Sequence, residues 1–303
     1  MCGIAGILVK REDEAPAPIG RTLLSMAACL QHRGRDSAGM AVFGGQDTSL
    51  RLQVMLPTGH ALPEPQALLA LGGGRLSGLC PEPMGFSALV KPAVGDAVQA
   101  NLALVSSIEA GLPGATVSSM GTALTIEKAV GMADGLDSAV GALTGTHGIA
   151  HLRLATESKI DPAHAQPFWG RPFPDIAVTH NGHITNYHKL RQRFEADGFE
   201  FASHNDSEII GIYLGRKMET GLSLGEALAA AGKELDGSYS FIVATGRGLG
   251  VVRDPFATKP LLYAETDTRV ALASEPQALY RLFGADAKIQ EIRPREVRVW
   301  ERN

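Results

Sequence analysis

The chain has 303 residues, of which 45% are hydrophobic and 20% charged, and a formal net charge of −4. That length suits one large domain or two smaller ones with an ample buried core, and the composition is that of an ordinary globular protein. The mild acidity and the lack of any Lys/Arg-rich run argue against nucleic acid as the main partner, and no run of about 18 apolar residues predicts a transmembrane helix.

Gly3–Val9 is rich in Ile, Leu and Val and predicts a buried strand starting directly behind Cys2. Leu23, Leu24, Ala27, Ala28 and Leu30 fit an amphipathic helix that ends before the His32-Arg33-Gly34 turn. Residues 38–43 form a second strand candidate. From about 44 to 145, Gly, Pro, Ala and Ser recur, as in Leu71-Gly72-Gly73-Gly74-Arg75, with turn signals every few residues. Enough Val, Leu and Ile remain for packing, so this reads as a folded, inserted segment rather than disorder. It carries an apolar patch at 102–108 and a helix-like run near 126–132.

Beyond Gly148 the pattern sharpens. Strands are expected at 148–154 and 176–180. Helices are expected at 186–196 and 206–218, each opened by an Asn or Asp cap, and at 224–235. Four strand candidates follow, at 238–245, 249–253, 261–264 and 269–273. A helix at 275–283 and a strand at 297–300 close the chain. Strands in runs and helices in runs favour an α+β fold of stacked sheets with helices outside.

The three cysteines, Cys2, Cys29 and Cys80, are too few and too scattered for a disulfide framework, and none forms a C-x-x-C metal site. This usage points to a reducing cytoplasm. The apolar run after Met1 is short and has no leading basic region, unlike a signal peptide. Cys2 itself is the key position. Methionine before a small residue is normally excised, which leaves Cys2 with a free α-amine. A thiol attacks only as thiolate and needs a base or a lowered pKa. An α-amine, with a pKa of about 7.7–8.0, can accept that proton near neutral pH. One residue then supplies nucleophile and base. A cysteine at position 2 is by itself usually unremarkable, and Gly3 adds only that a substrate can approach the backbone closely.

Four downstream segments change this reading: Gln31-His32-Arg33-Gly34-Arg35-Asp36-Ser37-Ala38-Gly39, His151-Leu152-Arg153-Leu154-Ala155-Thr156, Thr179-His180-Asn181-Gly182 and His204-Asn205-Asp206-Ser207-Glu208. With Cys2-Gly3-Ile4-Ala5-Gly6-Ile7, they resemble the ordered motif set of class II glutamine amidotransferases, whose nucleophile is an N-terminal cysteine. Asp254-Pro255, Lys259-Pro260-Leu261 and Ala273-Ser274-Glu275 match later elements of that family. The resemblance covers residues 1–43 and about 145–285. It implies an N-terminal-nucleophile (Ntn) hydrolase fold: a four-layer αββα sandwich of two facing, mostly antiparallel sheets between helical layers, here with the inserted segment. It also implies glutaminase chemistry.

Carried over residue by residue, the resemblance makes Cys2 the nucleophile. The Asn181 side-chain amide and the Gly182 N–H become oxyanion donors, a kind of donor typically worth about 10²–10³-fold in rate. Arg153 would fork onto the substrate α-carboxylate, Asp206 would accept from its α-ammonium, Thr156 would contact substrate, and Arg33 would order the wall around the nucleophile. Plainer readings stand beside these. Asn181-Gly182 is also a turn signal, and Asp206 a helix cap. Arg153, in an apolar strand, needs a partner on physical grounds alone. His151, His164 and His180 match no common ligand spacing, so structural or gating roles are preferred and no metal or cofactor is expected.

The chain has no room for a sugar isomerase domain and shows no phosphoribosyl-binding acidic motif, so the ammonia acceptor is expected on a partner polypeptide. Val117-Ser118-Ser119-Met120-Gly121, Lys128-Ala129-Val130-Gly131 and Gly145-Thr146-His147-Gly148-Ile149 resemble stand-alone, glutamate-synthase-like amidotransferase subunits. That group includes the first subunit of N-methylglutamate synthase, which helps join methylamine to glutamate. The implied assembly is a hetero-oligomer with glutamate-synthase-like subunits. Handling of glutamate and methylamine, or a non-catalytic regulatory role, are the alternatives. Leu152, Leu154 and Asn205 depart from the family's usual residues, with possible consequences for glutamine affinity but none for the proposed catalytic groups.

Overall fold

A computed structural model describes residues 2–11, 16–44, 49–57, 59–155 and 160–302. In chain order the elements begin with β1 (Gly3–Val9), α1 (Ile19–Leu30) and β2 (Ser37–Phe43). There follow β3 (Leu50–Met55), α2 (Pro65–Leu71), β4 (Leu76–Glu82), β5 (Gly85–Val90), α3 (Ala97–Gly111), β6 (Thr116–Gly121), β7 (Leu124–Val130) and α4 (Asp137–Val140). The second half holds β8 (His147–Arg153), β9 (Phe168–Trp169), β10 (Ile176–Ile184), α5 (Tyr187–Ala196), α6 (Asp206–Glu219) and α7 (Leu224–Glu234). It ends with β11 (Gly237–Thr245), β12 (Gly248–Arg253), β13 (Leu262–Glu265), β14 (Arg269–Ala273), α8 (Pro276–Phe283), β15 (Ile289–Glu291) and β16 (Val297–Glu301).

Two antiparallel sheets face each other, in the strand orders β15-β13-β14-β1-β8-β2-β7 and β16-β12-β11-β10-β9. Strand β1 shows why this sequence makes two layers. Ile4 and Leu8 point into the core between the sheets. Ala5, Ile7 and Val9 point the other way, onto Leu23, Met26 and Ala27 of α1 and Ala278 and Leu279 of α8. A strand covered on both faces must be apolar at every position, and each buried Ile or Leu contributes about 1.5–3 kcal/mol. On the second sheet, Val178, Phe241 and Val243 pack outward against Ile209, Ile212 and Leu228 of α6 and α7. The result is the αββα sandwich, with its two helical layers outside.

Between β2 and β7 a separate four-stranded sheet, β4-β5-β3-β6, packs Leu52, Val54 and Phe86 against Leu104, Val105 and Ile108 of α3. The helix expected near 126–132 is instead strand β7, the edge of the large sheet. Leu124, Ile126 and Lys128 are buried and alternate with half-buried Thr125, Glu127 and Ala129. The inward lysine disguises that two-residue period. Strand β10 likewise runs on to Ile184, so Asn181 and Gly182 lie within a strand and not at a turn. The short strands β9 and β15 had no sequence signal of their own.

Candidate active site

Cys2 enters β1 at one end of the two-sheet stack. Its carbonyl is held from both sides: Arg33 Nε donates at 2.9 Å and Asn181 Nδ2 at 3.0 Å. Its thiol faces the Leu154 main chain, whose N–H approaches Sγ at 3.4 Å. Arg33 is anchored in turn by Glu275 at 2.5 Å, and Glu275 also meets His32 Nε2 at 3.0 Å. Burial would raise the Glu275 pKa, but its bonds to Arg33 and His32 override this and hold it below the ordinary value. Ser274, next door, receives the Ile4 N–H at 3.2 Å. The Ala273-Ser274-Glu275 turn therefore clamps the chain behind Cys2.

A cleft of about 320 Å³ opens at Cys2, lined among others by Arg153, Leu154, Gly182, Tyr187, His188 and Asp206. That is large enough for an amino-acid-sized ligand. Arg153 reaches it from the end of β8 and is 5% exposed. Asp36 shapes the adjoining segment by accepting the Ala155 N–H at 2.7 Å and donating its own N–H to the Arg153 carbonyl. Asp206 is the first residue of α6, where the helix dipole favours an acid. The cap itself is Asn205, which accepts the Ser207 N–H at 3.0 Å. Asp206 is thereby released from capping, and its Oδ2 accepts the Ile184 N–H at 2.8 Å. Asn186 stands at the N-cap of α5 as expected, but its side chain makes no capping bond and instead bridges the Glu234 carbonyl and the Asp236 N–H.

The strand period explains the placement of Gly182. The His180 N–H is accepted by Gln166 Oε1 at 2.6 Å, and the Ile184 N–H by Asp206. By alternation the intervening Gly182 N–H points to the same edge, which is the cleft. Gly182 adopts φ +128°, and a Cβ there would lie 2.0 Å from the Ser238 carbonyl oxygen. Gly39 serves a similar purpose lower down: a Cβ would meet the Gln166 carbonyl at 2.2 Å. Its absence lets Gln166 reach across to the His180 carbonyl at 3.1 Å and Ser207 Oγ at 2.9 Å.

Cys2, Arg153, Gly182 and Asp206 thus share one cleft. Asn181 touches the Cys2 carbonyl, and Arg33 stands behind that carbonyl instead of lining the cleft. Thr156, expected at the substrate, lies outside the described residues. His164 pairs with Asp161 at 2.6 Å and His180 with Ser207 at 2.9 Å, and among the described residues no three His, Cys, Asp or Glu side chains converge as a metal site. Sequence reasoning passed over Glu275 as the Arg33 anchor and Gln166 as the brace under the cleft. For Glu275 the signal was present in the Ala273-Ser274-Glu275 motif; for Gln166 there was none.

No helix among the described residues is long and apolar enough to cross a membrane. The sequence profile of a glutamine amidotransferase domain family matches residues 151–281. A Methanothermobacter thermautotrophicus protein described as "Putative glutamine amidotransferase" is 34% identical, over 99% of this chain and 100% of its own length. The glutamine amidotransferase-like protein GlxB of Rhizobium meliloti is 35% identical, over 99% of this chain and 98% of its own. Among solved structures, the glutamine phosphoribosylpyrophosphate amidotransferase of B. subtilis superposes with a TM-score of 0.62 at 19% identity; it is covered over 47% of its length, by 99% of this chain. That likeness is one of fold.

Proposed function

This chain belongs to the class II glutamine amidotransferases, and on that premise we propose that Cys2, freed of Met1, hydrolyses glutamine and that the ammonia passes to an acceptor site on a partner subunit. The observation that carries the reading is the convergence of Cys2, Arg153, Gly182 and Asp206, which lie far apart in sequence, on one cleft.

In this mechanism the Cys2 α-amine takes the thiol proton, and the thiolate attacks the side-chain amide carbon of glutamine. Arg153 binds the substrate α-carboxylate and Asp206 its α-ammonium, which fixes the reach of the amide to Sγ. The Gly182 N–H and the second hydrogen of Asn181 Nδ2 meet the developing oxyanion. Asn181 can do this while its first hydrogen stays on the Cys2 carbonyl, so one side chain sets both the nucleophile and its oxyanion hole. Collapse breaks the C–N bond, ammonia leaves with the proton from the α-amine, and water hydrolyses the thioester to glutamate. The sequence resemblance to glutamate-synthase-like subunits supports a separate synthase partner, and the three sparse, unpaired cysteines support a cytoplasmic setting.

The test is intact-protein mass before and after treatment with a glutamine-analogue diazo-ketone. Loss of Met1 and one adduct on Cys2, blocked by excess glutamine, is the expected result. Retained Met1, or no adduct on the folded protein, would refute it.

A further inference from the structure

Asp206 is the sole carboxylate among the described residues that line the cleft. A cationic group entering there has no other anionic partner, yet the protein already holds this one. Asp206 Oδ2 accepts the Ile184 N–H at 2.8 Å, and Nδ1 of His183, one residue earlier, stands 3.5 Å from the same oxygen. The two contacts differ in kind. Ile184 belongs to β10 and is paired with Gly237 of β11, so its N–H is fixed in place. The His183 side chain is 77% exposed, against 15% for Asp206, and its ring is free to swing into solvent. One partner of the carboxylate is permanent and the other is removable.

The inner side of Asp206 offers no such competitor. His180 Nδ1 lies 3.9 Å from Oδ1, beyond hydrogen-bond reach, and 2.9 Å from Ser207 Oγ. Burial above all lowers the His180 pKa; Asp206 works against this, and His183 and Lys259 reinforce it. His180 is therefore neutral at neutral pH, and the carboxylate keeps its charge. The charged and titratable groups around His183 are Asp206 of α6, His180 of its own strand and, lining the same cleft, Arg153 of β8, Tyr187 and His188 of α5, and His204 before α6. Asp206 alone among them attracts a proton to the His183 ring. Protonated, the ring is an ion-pair partner 3.5 Å away; neutral, it is too distant for a strong hydrogen bond.

We propose that His183 competes with the α-ammonium of glutamine for Asp206 and thereby sets how tightly the cleft takes glutamine. This rests on the glutaminase reading above, and on the part given there to Asp206, and adds a residue that governs affinity without touching the reacting atoms. An imidazolium and an ammonium repel, so glutamine seats when the ring is neutral or has swung away, and its arrival releases the ring's proton. Glutamine affinity therefore falls as the ring gains its proton on acidification, while the hold of Arg153 on the α-carboxylate is unaffected. An ion pair with an exposed partner contributes little, which limits the effect to about two- to fivefold in KM.

The test measures KM for glutamine and the inhibition constant of 4-carbamoylbutanoate, which is glutamine without its α-amine. Both are taken at about pH 5.5 and about pH 8.5, near the two ends of the range in which histidines change charge. In His183→Gln, which cannot charge, KM should fall by about two- to fivefold relative to the unaltered enzyme at the lower pH and match it at the higher. The turnover number should be alike in the two proteins at each pH, and the analogue should bind both equally. His183→Arg, charged throughout, should carry the raised KM to the higher pH. A KM that does not move in His183→Gln at the lower pH, that rises there, or that moves in step with the analogue overturns the proposal. An unaltered enzyme that releases no glutamate from glutamine would instead refute the glutaminase reading itself.

Discussion

Replacing Gly182 by alanine tests the oxyanion-donor role proposed for its N–H. A Cβ at this position would sit 2.0 Å from the Ser238 carbonyl oxygen and 2.8 Å from the Tyr239 Cα, both backbone atoms of β11 that cannot rotate away. Reaching ordinary contact requires β10 and β11 to part locally by about 1 Å, and a 1 Å misplacement can cost about 10²-fold in rate. The φ of +128° adds strain of about 1–3 kcal/mol for any residue with a Cβ. We expect kcat for glutamine hydrolysis to fall by about 10²–10³-fold, the range for a lost oxyanion donor, with a smaller change in KM because Arg153 and Asp206 still hold the substrate. Gly198→Ala is the control. It also has a positive φ, +88°, but nothing lies within 4 Å of its Cβ, so it should cost only about 1 kcal/mol and leave kcat alone. Glutamate release under saturating glutamine and urea unfolding of both variants provide the comparison. A Gly182→Ala enzyme within threefold of the unaltered kcat would refute the placement of this N–H at the oxyanion.

Two stability predictions follow from buried titrating groups. Burial pushes His147 down to about 4, although its bond to the Thr245 carbonyl at 2.7 Å works the other way. Its contribution is then complete above the unfolded value of about 6.5 and is lost as pH falls toward 4, up to about 3 kcal/mol; urea midpoints should drop over that window, and less steeply in His147→Gln, which cannot charge. Glu127, raised to about 7 by burial and then by Glu82, is the opposite case: its contribution is complete below the ordinary value of about 4.5 and is lost as pH rises from there through 7, so Glu127→Gln should raise Tm at pH 8 and change it little at pH 4. Equal Tm gains at both pH values would show that the carboxylate charge is not the cause.

Many of the strands and helices were legible because burial leaves marks in the chain, whereas the four-layer arrangement was implied only by the family resemblance. A strand covered on both faces, such as Gly3–Val9, must be apolar throughout, and helices such as α1 must repeat their apolar residues at helical spacing. Where a polar side chain turns inward, the marks fail. Lys128 sits buried over the Phe168 ring, 4.8 Å from its centroid, and its strand read as a helix. Asn181-Gly182 read as a possible turn because only the pairing with Ser240 and Tyr239 shows it to be extended.

The site divides in the same way. The ordered motifs nominated Cys2, Arg153, Asn181, Gly182 and Asp206 through their resemblance to the class II glutamine amidotransferases, whose chemistry uses a thiol, cationic and anionic handles, and donors. Their division of labour is a matter of distance between strands remote in sequence. Only folding brings Asn181 and Arg33 onto the same Cys2 carbonyl, sets Glu275 behind Arg33, and frees Asp206 by giving the cap to Asn205. Sequence alone determined which groups are available; the packing of two sheets face to face decided which of them meet, because hydrogen bonds act over about 3 Å and the linear chain carries no record of that separation.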